Sequence, residues 1–222
     1  TESTHDSLLL DIFNSSIRYN IISNKDSIIQ NLNIGWDSEI LSYKNKLIDT
    51  ILTNQSLSLD YSKSKINNSF RFGGNFYPLG YKKNNYEINF LYESFILKDK
   101  KFKISGDLSE FRPVFEINNY QSNHHFWDNK QFNNILFWNA SAEISSGLFS
   151  LKSQINQSYR PIYSSEYSEP LQFDSLLQVI QSSLNYNLIK KKYNLLTEIV
   201  YQYQGGAQIL QLPDWVGKVK FN

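Results

Sequence analysis

Cysteine is absent from all 222 residues. Disulfide scaffolds, thiolate metal sites and thiol nucleophiles are therefore excluded. Methionine is absent too, and Thr1 is not a native translation start; the chain is expected to be a processed product or a piece of a longer one. Proline and glycine are scarce, at 5 and 9 copies, and no Pro-rich or Gly/Ser-rich linker divides the chain. Neither sign of charge dominates, since 22 basic and 21 acidic side chains leave a formal +1. Nucleic-acid binders usually carry a clear basic excess, so nucleic acid is not an expected partner. No basic-then-apolar signal segment opens the chain. No apolar run approaches the roughly 18 residues of a spanning helix. A helical membrane protein is excluded, but a membrane β-barrel is not, because alternating strands disappear in hydropathy averages.

What is abundant is Asn, Ser, Ile, Lys and Tyr. Aromatic residues make up 15% of the chain, which argues against general disorder. Strict alternation, the mark of a strand with two unlike faces, recurs almost end to end. In Asn85–Leu97, Tyr86, Ile88, Phe90, Tyr92 and Ile96 oppose Asn85, Glu87, Asn89, Leu91 and Glu93. In Asn133–Ser145, Leu136, Trp138, Ala140, Ala142 and Ile144 oppose Asn139, Ser141 and Glu143. Tyr193–Tyr203, Phe102–Phe111, Leu148–Ser158 and Gln178–Ile189 read the same way. Ile12–Ser23, Ser27–Trp36, Asn54–Ser62 and Asn67–Tyr77 are weaker versions, and Trp215–Phe221 begins one more. The pattern predicts about eleven strands of roughly 9–13 residues, long enough to cross a bilayer tilted. Leu47–Leu52 is expected to hold at most a helical turn.

Charges sort by face. Arg18, Asp60, Arg71, Glu87, Glu93, Lys103, Asp107, Glu143, Lys152 and Glu198 all fall on the less apolar side, with Glu110 as the main exception at a strand end. Such a wall suits a wet lumen. These ten are the expected lumen-facing charges; Leu136, Trp138, Ala140, Ala142 and Ile144 are the expected lipid-facing set. Connections sort as well. Short ones (Asn24–Asp26, Lys63–Ile66, Lys98–Lys101, Ser146–Gly147, Lys190–Lys192) alternate with longer ones (Asp37–Thr53, Pro78–Asn84, Arg112–Phe132, Tyr159–Leu177, Gln204–Asp214). Outer-membrane barrels combine short periplasmic turns with long outer loops. Trp36, Tyr61, Tyr77, Tyr86, Tyr193, Tyr201, Tyr203 and Trp215 sit toward expected strand ends, as interfacial aromatics do, although aromatics also favour strands in general.

Catalytic chemistry finds little support. Asn123-His124-His125-Phe126-Trp127-Asp128 offers metal-ligating residue types, but neighbours on an extended chain point opposite ways, and the remaining histidine is the distant His5. Phe72-Gly73-Gly74-Asn75 and Gln204-Gly205-Gly206 are too short to cradle phosphate. No catalytic, cofactor or metal residue is expected, so the chain is read as a non-enzyme.

The stretch around Tyr120–Phe132 reads NNYQSNHHFWDNKQF, and Leu212-Pro213-Asp214-Trp215 leads into a strand. With the long polar loops and the Asn/Tyr/Lys/Ile-rich style, these resemble the putative porins of Bacteroidetes outer membranes. The resemblance covers most of the chain. It implies an antiparallel, up-and-down transmembrane barrel for passive passage of small hydrophilic solutes, and it supplies no catalytic residue. The expected partners are the lipid bilayer, lipopolysaccharide and small solutes, with other outer-membrane proteins in one reading; the expected location is the Gram-negative outer membrane. Residues 1–222 are read as one barrel domain or a segment of a larger one, because bacterial single-chain barrels have even strand numbers. Two other readings use the same strands: a subunit of a secretion or surface-protein complex, and the barrel part of a TonB-dependent transporter. A soluble β-sandwich binding module is the third rival.

Overall fold

The structure, a computed structural model, describes residues 9–44, 49–97, 99–121, 126–128, 132–165, 169–190, 193–206 and 209–221. The chain runs through β1 (Leu9–Lys25), β2 (Ile28–Lys44), β3 (Asp49–Lys65), β4 (Asn68–Gly80), β5 (Tyr86–Leu97) and β6 (Lys100–Phe111). A long connection then carries the helical turn α1 (Phe115–Asn118) and the short strands β7 (Asn119–Gln121) and β8 (Phe126–Asp128). Next come β9 (Ile135–Ser146), β10 (Phe149–Tyr159), the short β11 (Ile162–Ser164) and β12 (Pro170–Gln172), then β13 (Leu176–Lys190), β14 (Tyr193–Gly206) and β15 (Trp215–Phe221). Two small ladders, β7–β8 and β11–β12, stay within their connections. The other eleven strands form one antiparallel sheet, each paired with its predecessor in the chain. The expected meander and strand count are therefore present. The sheet is open: among the described residues β1 pairs only with β2 and β15 only with β14.

Residues directly opposite in an antiparallel ladder share a face, so the register sorts every side chain. One ladder row reads Tyr19, Ile34, Leu59, Gly74, Ile88, Leu108 and Trp138; a neighbouring row on the same side reads Ile21, Leu32, Tyr61, Phe72, Phe90, Gly106 and Ala140. The row between them, on the other side, reads Asn20, Asn33, Asp60, Gly73, Asn89, Asp107 and Asn139. Apolar side chains thus line one face and polar ones the other.

The apolar face is not a core. Ile17 is 78% exposed, Tyr19 66% and Ile144 54%, and Ile88, Phe90 and Leu108 are exposed as well. Among the described residues the buried hydrophobic ones are Leu41, Tyr43, Ile135 and Val200, all of which lie on the polar side by register. Among the described residues no second sheet covers the apolar face, as it would in a soluble sandwich.

Several expected boundaries are corrected. β1, β2 and β3 are 17 residues each, and the expected long connection Asp37–Thr53 is mostly strand. Only residues 45–48 separate β2 from β3; they lie outside the described set, and residues 49–52 of the expected helical turn are extended. The alternation changes phase there. Toward the end of β2, Leu41 and Tyr43 face the polar side, where Phe115 of α1 packs against Tyr43, while Ser38 and Ser42 face the other side. β4 continues to Gly80 through a bulge opposite Gln55–Leu57. Two connections at the loop end of the sheet are therefore short, and only the three after β6, β10 and β14 are long. At the opposite end the turns at 26–27, 66–67 and 147–148 are tight as expected, while residues 98 and 191–192 of the other two expected turns lie outside the described residues. The β1–β2 turn places Asp26 and Ser27 at φ 51° and 62°, the two-residue geometry that matches strand twist.

Candidate functional site

All ten charged residues expected on one side share the polar face by register. Glu93, Lys103, Glu143 and Lys152 stand in one ladder row with alternating sign across four strands. Lys101 reaches Glu93 at 2.9 Å, with Lys103 at 4.0 Å from the same carboxylate. Asp107 accepts from Asn139 Nδ2 at 2.8 Å. Leu136, Trp138, Ala140, Ala142 and Ile144 all share the opposite, apolar face. Glu110 does fall on that face near the end of β6, where Asn134 Nδ2 donates to it at 3.2 Å. Asp11 and Lys63 share its face, also toward strand ends.

Two of the expected interfacial aromatics are placed differently. Tyr77 shares the polar face and lines a cavity there. Trp36 is the middle residue of β2, although its ladder row also holds the strand-end residues Tyr86, Leu136 and Tyr159. The reason is that β1–β3 extend well past the ends of β5, β6 and β10.

That extension holds a cavity of about 420 Å³, bordered by Arg18, Asp37, Glu39, Asn54, Tyr77 and Lys82 among others. Arg18 Nη2 meets Asp37 at 2.7 Å, and its Nη1 donates to Ser58 Oγ at 3.0 Å. The guanidinium crosses Gly35, where an added Cβ would lie 3.0 Å from Nη1. Lys82 Nζ meets Glu39 at 2.9 Å. Asn54, only 1% exposed, joins the group from below: it donates to Glu39 at 2.7 Å and accepts from the Lys82 backbone N–H at 2.8 Å. Partly solvated ion pairs add little stability. Their effect here is to hold long polar side chains in place around water-accessible space.

The long connection after β6 folds over this end of the polar face. The Tyr81 hydroxyl donates to the Pro113 carbonyl at 2.9 Å and accepts from Asn118 Nδ2 at 2.7 Å. Burial pushes this phenol above its ordinary pKa, against the lowering effect of Asn118 and Arg112, so it remains a proton donor. Arg112 lies over the Tyr81 ring at 4.3 Å, and the Phe115 ring packs 4.9 Å from Tyr43 and 6.2 Å from Tyr81. Trp127 Nε1 donates to the Glu116 carbonyl at 3.2 Å. The sequence marks this stretch as a long, polar, aromatic outer loop, but not the contacts that make it a strap. Its one local signal was Arg112-Pro113, which stops the ladder; the contacts to Tyr43 and Tyr81 span more than thirty residues. His5, Asn123, His124 and His125 lie outside the described residues.

A single-layer antiparallel sheet with an exposed apolar face and a charged, water-accessible face is the wall type of a pore-forming β-protein. The chain belongs to the family described as "Putative porin", whose model matches residues 9–221. No curated protein matches it.

Proposed function

We propose that the chain forms a porin-like wall in a bacterial outer membrane and serves passive diffusion of small hydrophilic solutes. The observation that carries this reading is the exposure of the apolar face across the whole sheet. Monomeric soluble proteins rarely expose contiguous apolar patches beyond a few hundred Å², and here large side chains from β1 to β15 are exposed. Lipid is the partner that covers such a face without specific contacts. On this reading Leu136, Trp138, Ala140, Ala142 and Ile144 meet lipid. Arg18, Asp60, Arg71, Glu87, Glu93, Lys103, Asp107, Glu143, Lys152 and Glu198 face the lumen. In a membrane the free edges of β1 and β15 must be paired, with each other, with further strands or with a partner, because unpaired backbone groups are costly in hydrocarbon. Lipopolysaccharide is then the neighbour of the long-loop end.

Family membership supports a porin-like role over a transporter or secretion subunit, and no catalytic role is assigned. The test is reconstitution of the protein into liposomes under a gradient of an uncharged solute such as arabinose. Swelling is expected. A folded, inserted and silent protein would instead favour the subunit of a surface-protein complex.

A further inference from the structure

A second cavity, of about 280 Å³, opens beside Asn33, Asp60, Ser62, Arg71 and Asn89. It differs from the first in how its charges are used. In the first, Arg18 is paired with Asp37 and Lys82 with Glu39. In the second, no ion pair or hydrogen bond joins Asp60 or Arg71 to any described residue.

The ladder explains why these two charges are close but separate. Asn33, Asp60, Gly73 and Asn89 stand in one row, and Ser62 and Arg71 in the next row on the same face. Asp60 and Arg71 are therefore diagonal neighbours on adjacent strands, about 7–8 Å apart at the backbone. Gly73 keeps the space between them open. An added Cβ there would lie 2.7 Å from Asp60 Oδ1 and 2.9 Å from Asn89 Oδ1. The Asp60 carboxylate and the Asn89 amide, whose Nδ2 lies 3.2 Å from the same point, thus converge where a side chain would otherwise sit.

An unpaired carboxylate and an unpaired guanidinium at short, fixed spacing complement a molecule carrying the opposite two charges. We propose that this cavity is a solute subsite for zwitterions of amino-acid or short-peptide type. The solute ammonium docks between Asp60 and Asn89, and its carboxylate meets Arg71, which can bind it with two parallel N–H donors, and Ser62. A neutral sugar satisfies neither charge, and a simple anion satisfies one. The inference rests on the porin reading for how the solute arrives, but the recognition is independent of conduction.

The probe is L-alanyl-L-alanine, titrated into the purified full chain in detergent and followed by calorimetry. N-acetyl-alanine methylamide, of similar size without charges, and acetate are the comparisons. Dialanine is expected to bind at least about tenfold more tightly than either. Asp60→Asn and Arg71→Gln should each weaken it about tenfold, the scale of one charge-assisted hydrogen bond. A far-ultraviolet β spectrum identical to that of the unaltered chain verifies the fold of each variant. Equal affinity for the neutral analogue or acetate, unchanged affinity in both variants, or no binding at all would overturn the subsite. Liposome swelling is measured on the same preparation. Binding without swelling removes the porin reading and leaves the subsite, whereas swelling without binding does the reverse.

Discussion

Ala140 and Ser141 are chain neighbours near the middle of β9 and face opposite ways. Ala140 lies between Gly106 and Ile155 in its ladder row, whereas Ser141 lies between Ser105 and Gln154 and shares a 2.8 Å hydroxyl contact with Ser105. An arginine at position 140 would leave water for lipid, at roughly 2–4 kcal/mol near the midplane. At position 141 it remains hydrated and close to Glu143. Ala140→Arg should therefore lose that much folding free energy in lipid vesicles relative to Ser141→Arg, measured by urea titration. If Ser141→Arg is the more damaging, the faces are reversed. Facing at this scale was legible because a period of two needs no tertiary information. What individual residues do was less legible. Nothing local in the sequence sets Tyr77 apart from the interfacial aromatics, and Arg18 finds Asp37 only once β1 and β2 are in register.

At the scale of elements, strands with clean alternation were readable and those whose alternation changes phase were not. β9 and β14 keep one apolar face throughout. Near the end of β2, Leu41 and Tyr43 take polar-side positions and Ser38 and Ser42 the other side, because Tyr43 packs against Phe115 of α1, a contact that local alternation does not reveal. The strap itself depends on Tyr81. Tyr81→Phe removes the donor to Pro113 and the acceptor for Asn118, which is 5% exposed. A lost buried hydrogen bond of about 1–2 kcal/mol should speed chymotrypsin cleavage near Phe115 by about tenfold if cleavage follows local opening. An unchanged rate would mean that Phe115 packing alone holds the strap. Loop length also orients the sheet. Protease added to intact cells should cleave within residues 112–134 and 160–175 and spare the turns at 26–27, 66–67 and 147–148. Cleavage confined to those turns would invert the orientation.

For the whole molecule, the single antiparallel meander followed from strand patterning and the scarcity of helix signals, and the odd strand count pointed to a segment of a larger barrel, but which strands form the edges did not follow. Nothing in the sequence of β1 or β15 distinguishes an edge strand from an interior one, since pairing is a property of neighbours. The absence of cysteine allows the central claim, a sheet with lipid on one face and water on the other, to be tested position by position. Single cysteines are placed one at a time from Leu136 to Ile144, the protein is reconstituted in liposomes, and labelling by a membrane-impermeant maleimide is measured. Labelling should alternate strictly, strong at 137, 139, 141 and 143 and weak at 136, 138, 140, 142 and 144. Uniform labelling, or alternation of the opposite phase, would contradict the account.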